Sequence, residues 1–332
     1  MSISLQKVAE RAGVSVKTVS GALNGSAARM SPETRERIRR IAAELGYVAN
    51  LAARSTRTGT MPIVGIVADG LITAPFATDI MRAFDASVRR RGLSVLVTNL
   101  TGKGIAAAVD DLARFRPQST GLASMYHKVV DVPDAARASI RVLVNCRDER
   151  GLIRSIVPDE VQAAEQLVSH LIATGRRRIA FLNLPGLVAG SLRLEGFRQA
   201  HRRAGLEPRD DWVRPATAAS VYSDRAPSAV SEHVEDIFAA ADRPDALVCG
   251  NDRVAMEAYN ALRRLSLRIP EDVAVAGFDD QVEIATRLDP PLTTMALPLR
   301  AMGRLAAEIL VARDDEARLD KVPFRLVRRQ SA

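Results

Sequence analysis

From Pro62 onward, short apolar runs alternate with stretches of helical periodicity, and that rhythm constrains the fold more than any other feature of the chain. The apolar runs are IVGIVAD (63–69), LSVLVTNL (93–100), TGLASMY (120–126), RVLVNC (141–146), RRIAFLNL (177–184), ALVCG (246–250) and VAVAGF (273–278), with a last short strand near 323–328. Helical patterns lie between them, at about 77–91, up to about 115, and at 161–174, 192–204, about 227–240, 252–265 and 299–312. Strands that are apolar on both faces need helices on both sides, which predicts doubly wound parallel α/β sheets. With 332 residues the chain exceeds one ordinary domain, so the body is expected to split into two lobes. Open sheets of this kind hold ligands beyond the carboxyl ends of their strands. Polar residues that follow the strands are therefore the binding candidates.

The first 61 residues read differently. Three short helices fit residues 1–47. Ser4 caps the first, with Ile3 and Val8 placed for a hydrophobic staple and Gly13 after its end. The second begins after Ser15 and carries Val16, Lys17, Thr18, Val19 and Ser20. The third opens on Ser31-Pro32-Glu33, carries Ile38, Ile41, Ala42 and Leu45 as an apolar stripe, and ends at Gly46. Two helices joined by AGVS match a helix-turn-helix, with Val8, Ala9, Val14 and Val19 holding them together. The outward face of the second helix is then Val16, Lys17, Ser20 and Gly21. Glycine inside that helix costs about 1 kcal/mol relative to alanine. Residues 48–61, VANLAARSTRTGTM, form a small, polar, basic linker that is too short for a stable helix alone.

Charge separates head from body. Residues 1–60 carry ten basic and four acidic side chains, so most of the formal net charge of +8 sits there. A basic head on a nearly neutral body suggests a polyanionic partner, although a solvated surface also explains the charge. In a helix-turn-helix the N-terminal residues of the second helix meet base edges in the DNA major groove.

Other classes find little support. The phosphate-loop, GxSxG, CxxC and HExxH patterns are absent, and the four histidines, His127, His170, His201 and His233, are scattered. Cys146 and Cys249 lie in apolar runs and read as core residues rather than metal ligands. We expect no catalytic residue, metal or cofactor. Without an N-terminal apolar signal region or a membrane-length apolar stretch, the expected location is cytoplasmic.

The motifs together resemble the LacI/GalR family of bacterial transcription regulators over essentially the whole chain. The head contributes LQKVAERAGVSVKTVSGALNG and SPETRERIRRIAAELGYVANLAARSTRTG. The body contributes VSHLIATGRRRIAFL, LRLEGFRQAHRRAG, ALVCGNDRVAMEAYNALRRLSLRIPEDVAVAGFDD and DPPLTTMALPLRAMG. The resemblance implies an all-α helix-turn-helix head (1–47), a hinge (48–61) and an α/β body (62–332) of two lobes like periplasmic sugar-binding proteins. One lobe would comprise about 62–158 plus 288–318, the other about 159–287 plus 319–332. It implies a homodimer on a pseudo-palindromic DNA operator. The chain ends at VPFRLVRRQSA without a heptad helix, so a dimer rather than a tetramer is expected.

The resemblance also assigns roles. Val16 and Lys17 match base-contacting positions, where lysine can donate to guanine and valine can meet a thymine methyl. Thr18, Ser20 and Asn24 match positions that contact phosphates or brace the turn, Arg29 offers a further contact, and Ser15, the N-cap of the helix, is a further DNA-binding candidate. Position 21 is usually a base-reading arginine in the family and is Gly21 here. In the hinge, Asn50, Ala53 and Arg54 follow the family pattern, but Thr56 stands where a leucine usually wedges into the minor groove. Phe76, Asp159, Arg193, Tyr222, Asn251, Asp252 and Asp279 match effector-pocket positions. Carboxylates, an amide and a guanidinium around aromatic walls suit a sugar, and the expected function is a repressor released by such an effector. The alternatives are a corepressor of another kind, such as a purine, and a solute-binding protein without a DNA role.

Overall fold

The computed structural model describes residues 3–24, 30–47, 61–71, 78–100, 102–223, 225–314 and 316–332, with the side chain of Asn24 excepted. The chain divides into two compact units, 1–61 and 62–332.

The head contains helices α1 (Leu5–Ala12), α2 (Val16–Asn24) and α3 (Pro32–Glu44). Each begins at a serine whose hydroxyl accepts from a backbone N–H three residues on: Ser4 from Lys7, Ser15 from Thr18 and Ser31 from Thr34. Gly13 adopts φ +64°, the left-handed conformation that turns the chain from α1 toward α2. Val8, Ala9, Ala12, Val19, Ala22, Ile38 and Ala42 are buried together. Val14, Ile41 and Leu45 pack partly buried against them. Fully burying one Val or Ile side chain contributes about 1.5–3 kcal/mol, so these few contacts supply most of what holds the head.

The body holds two six-stranded sheets. The first contains β1 (Ile63–Asp69), β2 (Ser94–Asn99), β3 (Ser119–Val130), β4 (Ile140–Asp148) and β5 (Arg154–Pro158). The second contains β6 (Ile179–Asn183), β7 (Val213–Pro215), β8 (Ala246–Cys249), β9 (Ala274–Asp279) and β10 (Thr293–Ala296). Each sheet gains one late strand, β11 (Leu319–Val322) in the first and β12 (Arg325–Val327) in the second. The orders are β11-β5-β4-β3-β1-β2 and β12-β10-β9-β8-β6-β7. Among the described residues every ladder pairing is parallel except β10 with β12.

The helices of the body are α4 (Thr78–Arg89), α5 (Ile105–Ala113), α6 (Asp134–Arg137), α7 (Glu160–Ala173) and α8 (Val188–Arg203). They continue with α9 (Val230–Ala239), α10 (Asp252–Arg264), α11 (Val282–Ala285) and α12 (Leu299–Ala312). Buried clusters lie on both faces of each sheet, as apolar strands require. Among the described residues no helix is long and apolar enough to cross a membrane.

Lobe membership differs from the expected division at β10 and β11, whereas α12 follows it. β10 pairs with β9 in the second sheet, while α12 packs on α4 and β11 pairs with β5 in the first. The chain therefore crosses between lobes near 158, between β10 and α12, and again between β11 and β12. The short sequences TTMA and LDKV carry no periodic signal for either sheet; pairing with distant strands decides their place.

α7 and α8 pack closely because position 196 is glycine. A Cβ there would lie 2.2 Å from the Val161 carbonyl oxygen. Gly196→Ala is expected to force these helices apart and lower stability by about 2 kcal/mol despite alanine's better helix propensity. Thermal unfolding checks this, and an unchanged midpoint would refute the close-packing argument.

Candidate functional site

On the head, the first turn of α2 is fixed by Ser15. Its hydroxyl accepts from the Thr18 backbone N–H at 3.1 Å and lies 2.8 Å from the Thr18 hydroxyl. Val19 and Ala22 point into the core, which turns Val16 and Lys17 outward. Val16 is 44% exposed, a large apolar side chain left in solvent at a helix N-terminus. Thr18, Ser20 and Gly21 are half-buried. Asn24 is the last residue of α2. Arg29, Asn50, Ala53, Arg54 and Thr56 lie outside the described residues, as does Phe76 in the body.

In the body, a small cavity lies beyond the carboxyl ends of the strands. Of the anticipated pocket residues, Arg193, Tyr222, Asn251 and Asp279 line it together. Arg193 is buried in its wall. Its side chain is only 4% exposed, and Nε donates to Glu160 Oε2 at 2.7 Å. Nη1 donates to the Gly250 carbonyl, and Nη2 lies 3.6 Å from Asp279 Oδ1. The guanidinium carbon stands 4.4 Å from the Phe278 ring centroid. Burial opposes charge on Glu160, but the Arg193 charge and the hydrogen bond from His127 outweigh it and hold the carboxyl below its usual range.

Asn251 caps α10 through Oδ1, which accepts from the Val254 N–H at 2.9 Å. Its Nδ2 donates to the Tyr222 hydroxyl at 2.9 Å, which ties the cap to the aromatic wall. Asp279 adopts φ +104° and Asp280 φ +56°, a rare conformation for residues with side chains. It turns the chain sharply after β9, where Asp279 and Gln281 both reach the cavity.

The structure sets Asp252 and Asp159 apart from that lining. Asp252 is fully buried behind it. Its Oδ2 accepts from the Gln281 N–H at 2.6 Å and its Oδ1 from the Thr294 hydroxyl at 2.7 Å. Burial, then the charge of Asp279, push its carboxyl well above the usual range. Asp159 caps α7 by accepting from the Gln162 N–H, and the next residue, Glu160, faces the cavity.

His127, Asn145, Glu160 and Gln281 line the cavity without having been anticipated. β3 is irregular where it faces β4, its register shifting between Ala123 and Lys128. Asn145 supports that stretch by donating to the carbonyls of Ser124 (3.1 Å) and Met125 (2.8 Å). A bulge that re-aims side chains leaves no periodic trace in sequence. The acidic pair Asp159-Glu160 was a usable signal, because a cap residue and its successor face different ways.

The cavity thus combines carboxylates, amides, an imidazole and a neutralised guanidinium with Tyr126, Tyr222 and leucine walls. Such a set can hydrogen-bond a small polar ligand on several edges. Among the described residues no cluster of His, Cys, Asp or Glu could hold a metal ion. Both cysteines are buried, and burial pushes the Cys146 thiol up to about 12.

Comparison with known proteins fits both regions. Residues 4–50 match the model for bacterial regulatory proteins of the lacI family, and residues 168–332 match the periplasmic binding protein-like domain. The sucrose operon repressor of Escherichia coli is 33% identical over 335 residues, covering 99% of this chain and 99% of its own. The transcriptional regulator CelR of Thermobifida fusca is 32% identical over 320 residues, covering 93% and 91%. Among solved structures, the Lac repressor dimer bound to operator and the anti-inducer ONPF is 26% identical with a TM-score of 0.76, covering 100% of this chain and 99% of that one. The CelR–cellobiose complex is 27% identical with a TM-score of 0.67, covering 99% and 100%.

Proposed function

The chain belongs to the LacI family of bacterial regulatory proteins, and on that premise we propose that it represses a sugar-related operon and is released from its operator by a sugar. It acts as a DNA-binding regulator and not as an enzyme. The head supplies sequence reading through Val16 and Lys17, and the body supplies the response. Two chains bind one pseudo-palindromic operator in the cytoplasm. The Lac repressor, similar over the whole chain, is a dimer on its operator, which supports that assembly.

The observation that carries the effector reading is the Arg193 site. A guanidinium neutralised by Glu160 and Asp279 sits among amides and tyrosines at the strand ends. Sugar hydroxyls both donate and accept, so they can use such a mixed set on every edge. The sucrose and ribose operon repressors and the cellobiose-bound CelR give the same direction.

Release requires that the effector prefer the conformation with weaker DNA affinity. The test selects an operator from random duplexes with the full chain, then titrates sucrose, ribose, cellobiose and purine bases. A sugar is expected to lower operator affinity by about tenfold or more, within the usual range of allosteric coupling. Tightened operator binding by a purine, with no response to sugars, would replace this reading with corepression.

A further inference from the structure

His127 belongs to β3 of the first sheet, and Glu160 opens α7 just beyond the crossing into the second lobe. The two side chains nevertheless meet. His127 Nδ1 lies 3.4 Å from Glu160 Oε1, with the side chains 3% and 1% exposed. A carboxylate with no proton only accepts, so the imidazole donates through Nδ1. Glu160 uses its other oxygen for Arg193, which reaches the Gly250 carbonyl and Asp279. The chain of contacts thus begins in one lobe and ends on the binding loops of the other.

We propose that His127 and Glu160 form a latch between the lobes, with His127 a positioning residue that holds the cleft closed and Arg193 in place. Three observations converge on this. The pair is nearly solvent-free, so its loss leaves a polar group uncompensated rather than hydrated. It is built on the irregular stretch of β3, supported by Asn145. It also shares Glu160 with Arg193, so movement of either lobe is felt at a residue of the cavity wall. The neighbouring cation Lys128 is engaged elsewhere, paired with Asp69 on the first sheet. The latch does not depend on which molecule fills the cavity.

The test measures lobe separation in the full chain without ligand. Arg82→Cys on α4 of the first lobe and Glu283→Cys on α11 of the second place spin labels on exposed positions that line one pocket of the body. The native cysteines are buried and do not compete for label. Pulsed electron resonance then reads the distance distribution. His127→Leu is expected to raise the longer-distance population at least tenfold relative to the parent. His127→Gln, which retains a donor, is expected to return it to within twofold. Glu160→Gln gives the reciprocal reading and should widen the distribution in the same direction. Unchanged distributions in His127→Leu and Glu160→Gln overturn the proposal. Equal opening in His127→Leu and His127→Gln also overturns it, because packing alone would then explain the effect.

Discussion

Arg193→Ala is expected to abolish the effector response and to lower the stability of the body by about 3–5 kcal/mol. The two effects have one cause. Arg193 is buried with Glu160 on one side and Asp279 on the other. Removing the cation leaves two carboxylates facing each other in a space that water barely reaches, with Asp252 just behind. An ion pair broken on one side in the interior costs far more than the intact pair contributes. Burial works against Arg193's own charge as well, and Glu160 followed by Asp279 offset it. The response is lost separately, because alanine cannot donate to a ligand or hold Glu160 toward His127. Operator release by the active sugar and thermal unfolding read the two effects. Arg193→Met combined with Glu160→Gln separates them: it removes the orphaned charge, so stability should largely return while the response stays absent. A response that survives in Arg193→Ala would exclude this residue from the effector site.

Local signals were legible in the sequence, whereas features decided at a distance were not. Ser4, Ser15 and Ser31 announce helices through a bond to an amide three residues away, and all three bonds are present. The first strand and the last long helix have the bounds their apolar patterns predict, 63–69 and 299–312. β10 and β11 went to lobes that no local pattern specifies, because partner strands more than ten residues away in sequence select them. The cavity shows the same division. Arg193, Asn251 and Asp279 follow from motif and strand-end position. His127 depends on the irregular pairing of β3, and Glu160 on a cap that sends its neighbour inward. Asp252 illustrates the converse. A carboxylate just after a strand looks like a ligand contact, yet its oxygens are taken by Gln281 and Thr294.

Lys17→Ala is expected to weaken binding to the selected operator by at least about 30-fold, and binding to random DNA much less. A side chain that reads a base contributes about 1–3 kcal/mol, and a dimer presents it twice. Replacing a lysine that only neutralises a phosphate would instead lower affinity uniformly across sequences and reduce the salt slope by about one per contact. The geometry of α2 favours the first outcome. Val19 and Ala22 anchor the helix from beneath, and the Ser15–Thr18 bonds fix its first turn, so Val16 and Lys17 project from a held platform. Gly21 makes that pair more important. It is half-buried one turn further along and offers no side chain, so a base facing it would be discriminated only by what its neighbours reach. Gly21→Arg supplies a long donor there and also removes the helix cost of glycine. It should therefore sharpen the selected motif at one position per half-site while leaving unchanged the positions we propose Val16 and Lys17 to read. Equal losses on operator and random DNA in Lys17→Ala, together with an unchanged motif in Gly21→Arg, would move sequence reading away from α2 altogether.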